Sequence, residues 1–296
     1  MGVNGFFSPI FRVGSDAMLA DLIPMGKRAD AFALIRMARN IGVATGPALG
    51  GFVLAKSYNI GLYGAAAGLV LYGLMLLVFA RETIPPEAAL VTTGLIERLR
   101  CYWTALKDRP FMKLVGAFTM VQMTAAMVWV LLSVHVKTHF GMSEQQYGWL
   151  PTTNALLVVF FQVWITRTTK RFEPEKVMRW GALFYVIAPL VIAFSTGFWG
   201  FWGAMVLMTF GELIVVPRTS AMAANLAPVD MRGRYLGLYG LTWNVAAGIS
   251  PMLGGFLGDQ FGLQAPWFGA ALMGLFAAAA FWGMKRQVSG KESESI

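Results

Sequence analysis

The sequence predicts an all-α fold, a polytopic bundle of membrane-spanning helices, and three observations carry that expectation. First, 57% of its 296 residues are apolar and only 13% are charged, where soluble domains run at roughly 25% charged. Second, stretches free of Asp, Glu, Lys and Arg recur at the length needed to cross a bilayer, roughly 20 residues of helix. Third, the basic residues gather in alternate connections between those stretches, as the retention of Lys and Arg at a cytoplasmic face dictates. An ordinary soluble enzyme is excluded, because so few charges cannot cover the surface of a soluble chain. The single cysteine, Cys101, permits neither an intramolecular disulfide nor a cysteine metal cluster. The net charge of +9 is divided among short loops rather than gathered on one face, which argues against nucleic acid as a partner.

The elements follow in order. The first expected span, residues 1–22, carries Arg12 and Asp16, and the second, 32–55, carries Arg36 and Arg39. The uncharged run 57–80 supplies a third at 59–80, completing an N-terminal bundle at 1–80. Residues 81–108, with Pro85, Pro86 and mixed charges, read as a cytoplasmic linker. A six-helix C-terminal bundle occupies 109–286, with spans at about 111–136, 146–166, 177–196, 200–222, 235–257 and 263–284, and residues 287–296 form a cytoplasmic tail. The uncharged run 180–211 is too long for one span and breaks at Ser195, Thr196 and Gly197, with Trp199 and Trp202 just beyond at a membrane interface. Lys27, Arg28, Arg98, Arg167, Lys170, Arg232 and Arg234 fall in one set of connections, while the other set holds only Lys56 and Lys137. The C-terminus is therefore expected in the cytoplasm.

Sliding the chain against itself by 204 positions lays residues 17–52 on 221–256 without a gap. The sharpest echo sets NIGVATGPALGGF, from Asn40, against NVAAGISPMLGGF, from Asn244. Parallel repeats of several helices are an architecture of secondary transporters. The helices matching residues 109–196 have no counterpart at the same offset, so nine spans are expected to remain of twelve, with roughly a hundred residues preceding Met1.

Gly42, Gly46, Pro47, Gly50 and Gly51 fit a GxxxGPxxGG pattern whose usual leading glycine is Ala33 here. With the turn at 24–28, the segment RETIPPE from Arg81, Asn154, and LAPVDMRGRYLG from Leu226, the chain resembles the major facilitator superfamily, most closely its drug/proton antiporter branch. Arg28 and Arg232 occupy matching cytoplasmic turns, whereas the loop segment TRTTKRFEPEK, from Thr166, departs from the branch's pattern. The resemblance implies a secondary transporter that works by alternating access, exchanging protons for a small lipophilic or cationic solute, as in multidrug efflux. It further implies a monomer in the plasma or bacterial inner membrane, in contact with lipids and without a cofactor. An uptake permease of the same superfamily and a nonfunctional fragment are the alternatives. An integral membrane enzyme is disfavoured, since no Ser-His-Asp, paired-carboxylate or HExxH arrangement shares a face.

Glu212 stands in mid-span in an uncharged segment, where an ionised carboxylate costs at least ~2.5 kcal/mol unless paired or hydrated. It is the expected proton-coupling or substrate group, the alternative being a structural hydrogen bond. Asp16 and Arg36 lie at similar depth on antiparallel neighbours, so an ion pair between them is expected, whether to fix the hairpin or to gate; Arg12 lies one turn deeper. Gly42, Gly46 and Gly50 share a helix face suited to close approach, with Pro47 bending it, and Asn244, Pro251, Gly254 and Gly255 repeat the pattern. Such a face serves either a moving seam or plain packing. Arg218 is expected to snorkel to the cytoplasmic face. His135 and His139 have metal-ligand spacing but no third ligand, so no metal site is expected.

Overall fold

A computed structural model describes the backbone at residues 2–79 and 102–284, and the side chains there except at 2–10, 12, 44, 46–56, 58 and 79. Within these residues the chain forms nine long helices and no strand: α1 (Gly2–Leu22), α2 (Arg28–Lys56), α3 (Tyr58–Phe79), α4 (Arg109–Phe140), α5 (Glu144–Thr169), α6 (Pro174–Phe194), α7 (Phe198–Leu226), α8 (Arg232–Phe261) and α9 (Ala265–Trp282). Most of the expected linker, 81–101, and the expected tail at 287–296 lie outside the described residues. Six of the helices, α3 to α7 and α9, are long and apolar enough to cross a membrane. Of the other three, α2 and α8 carry the glycine-rich repeat.

Local chemistry sets the helix ends. Asp108 caps α4 by accepting from the Phe111 amide at 3.2 Å, and Pro110 occupies the first turn, where its missing N–H costs nothing. The same helix stops at Gly141, whose φ of 59° is the left-handed conformation glycine adopts without strain, and the Met142 amide turns back to Val136 O at 3.1 Å. Ser143 and Gln146 then close a reciprocal capping box at the start of α5. A three-residue turn at 195–197 separates α6 from α7.

The repeat recurs as structure. The turn after α1 is a 3-10 segment, Met25–Lys27, entered through Pro24 at φ −55° and ψ 146°; the turn after α7 is Val229–Met231, entered through Pro228 at φ −57° and ψ 148°. Leu22 and Leu226 end α1 and α7, while Arg28 and Arg232 begin α2 and α8, both pairs at the 204-residue offset. Each copy is thus a helix, a proline-led turn and a second helix that begins with arginine.

The main core is built from α4, α6, α7 and α9, with Phe111, Leu114, Met178, Phe201, Met205, Trp267 and Phe281 essentially sealed. Small residues let backbones meet: a Cβ at Gly274 would stand 2.7 Å from the carbonyl oxygen of Tyr185. Helical prolines free carbonyls that need other donors. Pro217 leaves Leu213 O without its usual partner, and Gln162 Nε2 from α5 donates to it at 3.0 Å. On α3, by contrast, Leu69, Leu77 and Val78 are exposed.

Candidate functional site

A cavity of about 820 Å³ lies between α1 and α2 on one side and α4 to α8 on the other. Both copies of the repeat wall it. Asp16 and Ser220, Arg36 and Gly240, Arg39 and Trp243, and Asn40 and Asn244 all line it, each pair separated by the same 204 positions. The scaffold is therefore shared while the charge is not: these three charged positions of the first copy face serine, glycine and tryptophan in the second. Glu212 supplies the carboxylate on the opposite wall.

Glu212 is 7% exposed, so its charge must be met by the protein. Its Oε2 accepts from Arg36 Nη2 at 2.6 Å and from Asn154 Nδ2 at 3.1 Å. Trp129 Nε1 donates to Oε1 at 3.3 Å, and Arg36 Nη1 reaches the Glu212 main-chain oxygen at 3.2 Å. Asn154 is in turn oriented by donating to Thr209 Oγ1 at 2.9 Å, and that hydroxyl donates to Met205 O at 2.7 Å. Charge-assisted bonds of this kind are among the stronger ones in proteins. Trp129, Asn154 and Glu212 belong to α4, α5 and α7; Arg36 comes from α2, on the other side of the cavity.

The expected Asp16–Arg36 pair is not formed. Arg39 Nη2 lies 3.6 Å from Asp16 Oδ1, and Arg36 is taken by Glu212. The physical reason is burial: Glu212 has a side-chain exposure of 10% and no solvent to screen it, so it secures the short contact, whereas Arg39, at 46%, holds the longer and more hydrated one. The side chain of Arg12 lies outside the described residues.

At one end of the bundle the two proline-led turns are tied to neighbouring helices. Arg28, 3% exposed, donates to Ala224 O at 2.9 Å, Asn225 Oδ1 at 2.8 Å, Ile23 O at 3.1 Å and Ala20 O at 2.5 Å. Arg232 pairs with Asp21, and Lys170 with Asp30. These contacts join α1 and α2 to α5, α7 and α8 at the basic-loop end.

Other expected residues fall elsewhere. Arg218 does not snorkel: it is 8% exposed and donates to Thr169 Oγ1 at 3.4 Å, held inside the basic-loop end between α5 and α7. At Gly42 a Cβ would meet nothing within 4 Å, so no close approach occurs there among the described residues; in the second copy Gly254 is the tight position, 2.2 Å from Leu131 Cδ1, while Gly255 is open. Pro47 and Pro251 lie within α2 and α8, but the side-chain surroundings of Gly46, Pro47, Gly50 and Gly51 lie outside the described residues. The His135 ring packs against Phe140, Phe201 and Trp267, with His139 at 5.6 Å. Trp129, Thr209 and Tyr185 entered the site without warning from the sequence, since each is a common type within an uncharged run.

Comparison with known proteins gives the following. A family model described as Major Facilitator Superfamily matches residues 1–124 and 114–295. The chain is 30% identical over 272 residues to a protein of Planococcus maritimus named "Na(+), Li(+), K(+)/H(+) antiporter", covering 84% of this chain and 64% of the relative. It is 21% identical over 265 residues to the quinolone resistance protein NorA of Staphylococcus aureus, covering 89% of this chain and 67% of the relative. The crystal structure of the human organic anion transporter MFSD10 (TETRAN) superposes with a TM-score of 0.75 at 21% identity, covering 90% of this chain and 66% of the other, a likeness of fold. The chain thus spans about two thirds of the length of the relatives it matches.

Proposed function

Because the chain belongs to the Major Facilitator Superfamily, an integral membrane family, we propose that it forms the working part of a proton-coupled exchanger that exports a small lipophilic or cationic solute. The observation that carries this reading is the ion pair between Arg36 and Glu212, formed across the cavity by opposite halves of the bundle. A carboxylate so placed has one charge to satisfy and three candidate cations: the Arg36 guanidinium, a proton, and a cationic solute. Whichever binds excludes the others, and mutually exclusive occupancy of one site is the elementary requirement for exchange. With Arg36 bound, the halves are tied at mid-depth and at the basic-loop end. A proton on Glu212 removes the tie and lets them rock. Phe32, Ile35, Phe118 and Leu236 give the cavity apolar walls for the lipophilic part of a solute.

Export is the direction favoured by the glycine-proline pattern of α2 and by the likeness to an antiporter and to a resistance protein. The basic turns are assigned to the cytoplasm on the positive-inside rule, which sets the C-terminus there as well. The monomeric bundle and the division into bundles at 1–80 and 109–286 belong to the same reading.

The experiment is proton movement in reconstituted vesicles loaded with a pH-sensitive dye, with ethidium and sodium ions as probes. Wild-type protein should release or take up protons on probe addition, and Glu212→Gln, which keeps the shape but cannot titrate, should not. Unchanged proton movement in Glu212→Gln would leave Glu212 a structural residue and end this reading.

A further inference from the structure

Tyr185 reaches the cavity from α6, on the far side of α7, and is the α6 residue among its described lining. Its ring passes beside Gly211, where a Cβ would lie 2.9 Å from Cε2, and its main-chain carbonyl is pressed by Gly274. The residue is 0% exposed, and its hydroxyl is buried with no hydrogen-bond partner among the described residues. It is near enough to Glu212, Arg36 and Tyr239 to interact with each electrostatically. An unsatisfied buried hydroxyl is costly, and such groups in native proteins call for an explanation.

The explanation lies in which groups travel together. Of the donors on Glu212, Trp129 and Asn154 stand on helices of the same half, and Arg36 alone belongs to the other. When the halves part, Glu212 loses its shortest bond and the contact to its main-chain oxygen. Tyr185 stays, because α6 packs directly on α7. We infer that the Tyr185 hydroxyl is a positioning group, the donor that takes up the Glu212 carboxyl in the conformation from which Arg36 has withdrawn. Its orphan state with the seam shut and its bonded state with the seam open then bias the equilibrium toward opening once Arg36 is released. This rests on the proposed role of Glu212 as the proton-responsive group.

The other titratable and charged groups lining the site are Asp16 from α1, Arg36 and Arg39 from α2, Tyr239 from α8, and Tyr102; α4 and α5 present Gln122, Trp129 and Asn154, which do not titrate. A pH response lost with Glu212 is therefore attributable to Glu212.

The test needs no substrate. The 296-residue chain carrying Cys101→Ser and Ala224→Cys is placed in phosphatidylethanolamine and phosphatidylglycerol vesicles, and a membrane-impermeant maleimide is offered to the basic-loop face across a pH series. Ala224 is sealed beneath Arg28, so alkylation there reports opening of the seam. Expressed relative to the rate for the same chain denatured at each pH, so that the loss of thiolate cancels, alkylation should quicken as pH falls. Tyr185→Phe should slow it at low pH by roughly tenfold, the factor one hydrogen bond to a carboxyl commands, and should do nothing further in the Glu212→Leu background, which offers no acceptor. At high pH, with the seam shut, Tyr185→Phe should melt at the same temperature as its parent or above it, having lost only an orphan hydroxyl. Equal alkylation in Tyr185→Phe and its parent overturns the inference. So does the same slowing in the Glu212→Leu background, or a lower melting temperature at high pH, which would mean that the hydroxyl is bonded at rest. A pH response absent from the parent, or one that survives Glu212→Gln, overturns instead the reading of Glu212 on which the inference rests.

Discussion

Arg28 and Arg232, 204 positions apart, reach across the seam in opposite directions: Arg28 bonds Asn225, and Arg232 pairs with Asp21, and positions 21 and 225 are themselves 204 apart. The contact is self-complementary, the arrangement a two-fold axis imposes on an interface, here between two copies within one chain. One difference breaks the symmetry, since the acceptor is a carboxylate on one side and an amide on the other.

That difference is a lever. Asn225→Asp gives Arg28 an ionised acceptor, and bonds to charged groups exceed neutral ones by about 1 kcal/mol. The seam should hold more tightly, so thermal unfolding in detergent should move upward and exchange in vesicles should slow. Asp21→Asn should do the opposite by weakening the hold of Arg232. If both substitutions move melting temperature and exchange rate in the same direction, the crossed contacts do not hold the seam.

Arg28→Ala is expected to be far harsher than either. It removes a buried guanidinium that donates to four acceptors, three of them main-chain carbonyls, and leaves these without a donor. A loss of about 3 kcal/mol or more is expected, read as a fall in melting temperature and in the yield of folded protein. Arg28→Lys retains the charge but not the fork, so it should recover only part of the loss.

Glycine positions give a contrast that packing alone should decide. A Cβ at Gly274 would press on the backbone carbonyl of Tyr185 at 2.7 Å, and backbone cannot rotate away; at Gly255 a Cβ would meet nothing within 4 Å. Gly274→Ala should therefore destabilise by about 1–3 kcal/mol, while Gly255→Ala should be neutral or slightly stabilising. Melting curves of the two variants against the parent check it, and equal effects would contradict the packing.

The features legible in the sequence were those written in local pattern: uncharged runs for the apolar helices, the proline-led turns in both copies of the repeat, and Glu212 as a lone carboxylate in an apolar span. Partner choice was not legible. Arg36 and Asp16 share a depth, but depth says nothing about which way each helix faces, and the desolvated Glu212 outcompeted Asp16. Arg218 looked like a snorkelling residue because Thr169, which accepts from it, is distant in sequence. Tyr185 was invisible for a similar reason, since only the gap left by Gly211 explains how a side chain from a supporting helix reaches the cavity.

The Arg36–Glu212 pair yields the last prediction, because its two halves should fail unequally. Removing Arg36 as Arg36→Gln takes the paired cation away from a carboxylate with 10% side-chain exposure. An uncompensated buried charge costs about 3–5 kcal/mol, unless the group takes a proton instead. The variant should therefore be markedly destabilised at high pH and recover as pH falls and Glu212 becomes neutral. Glu212→Gln leaves a guanidinium that retains amide oxygen and main-chain partners and borders the cavity, so its stability should fall less. The double variant Arg36→Gln with Glu212→Gln replaces the pair by two neutral amides, and the removal of both charges together should restore stability beyond that of Arg36→Gln. It should nonetheless fail to move protons with ethidium or sodium, since the carboxylate of the pair is gone. Melting temperatures of the four proteins across a pH series close the cycle. A stability deficit in Arg36→Gln that does not depend on pH would mean that the guanidinium acts by packing, and that its charge does not hold Glu212.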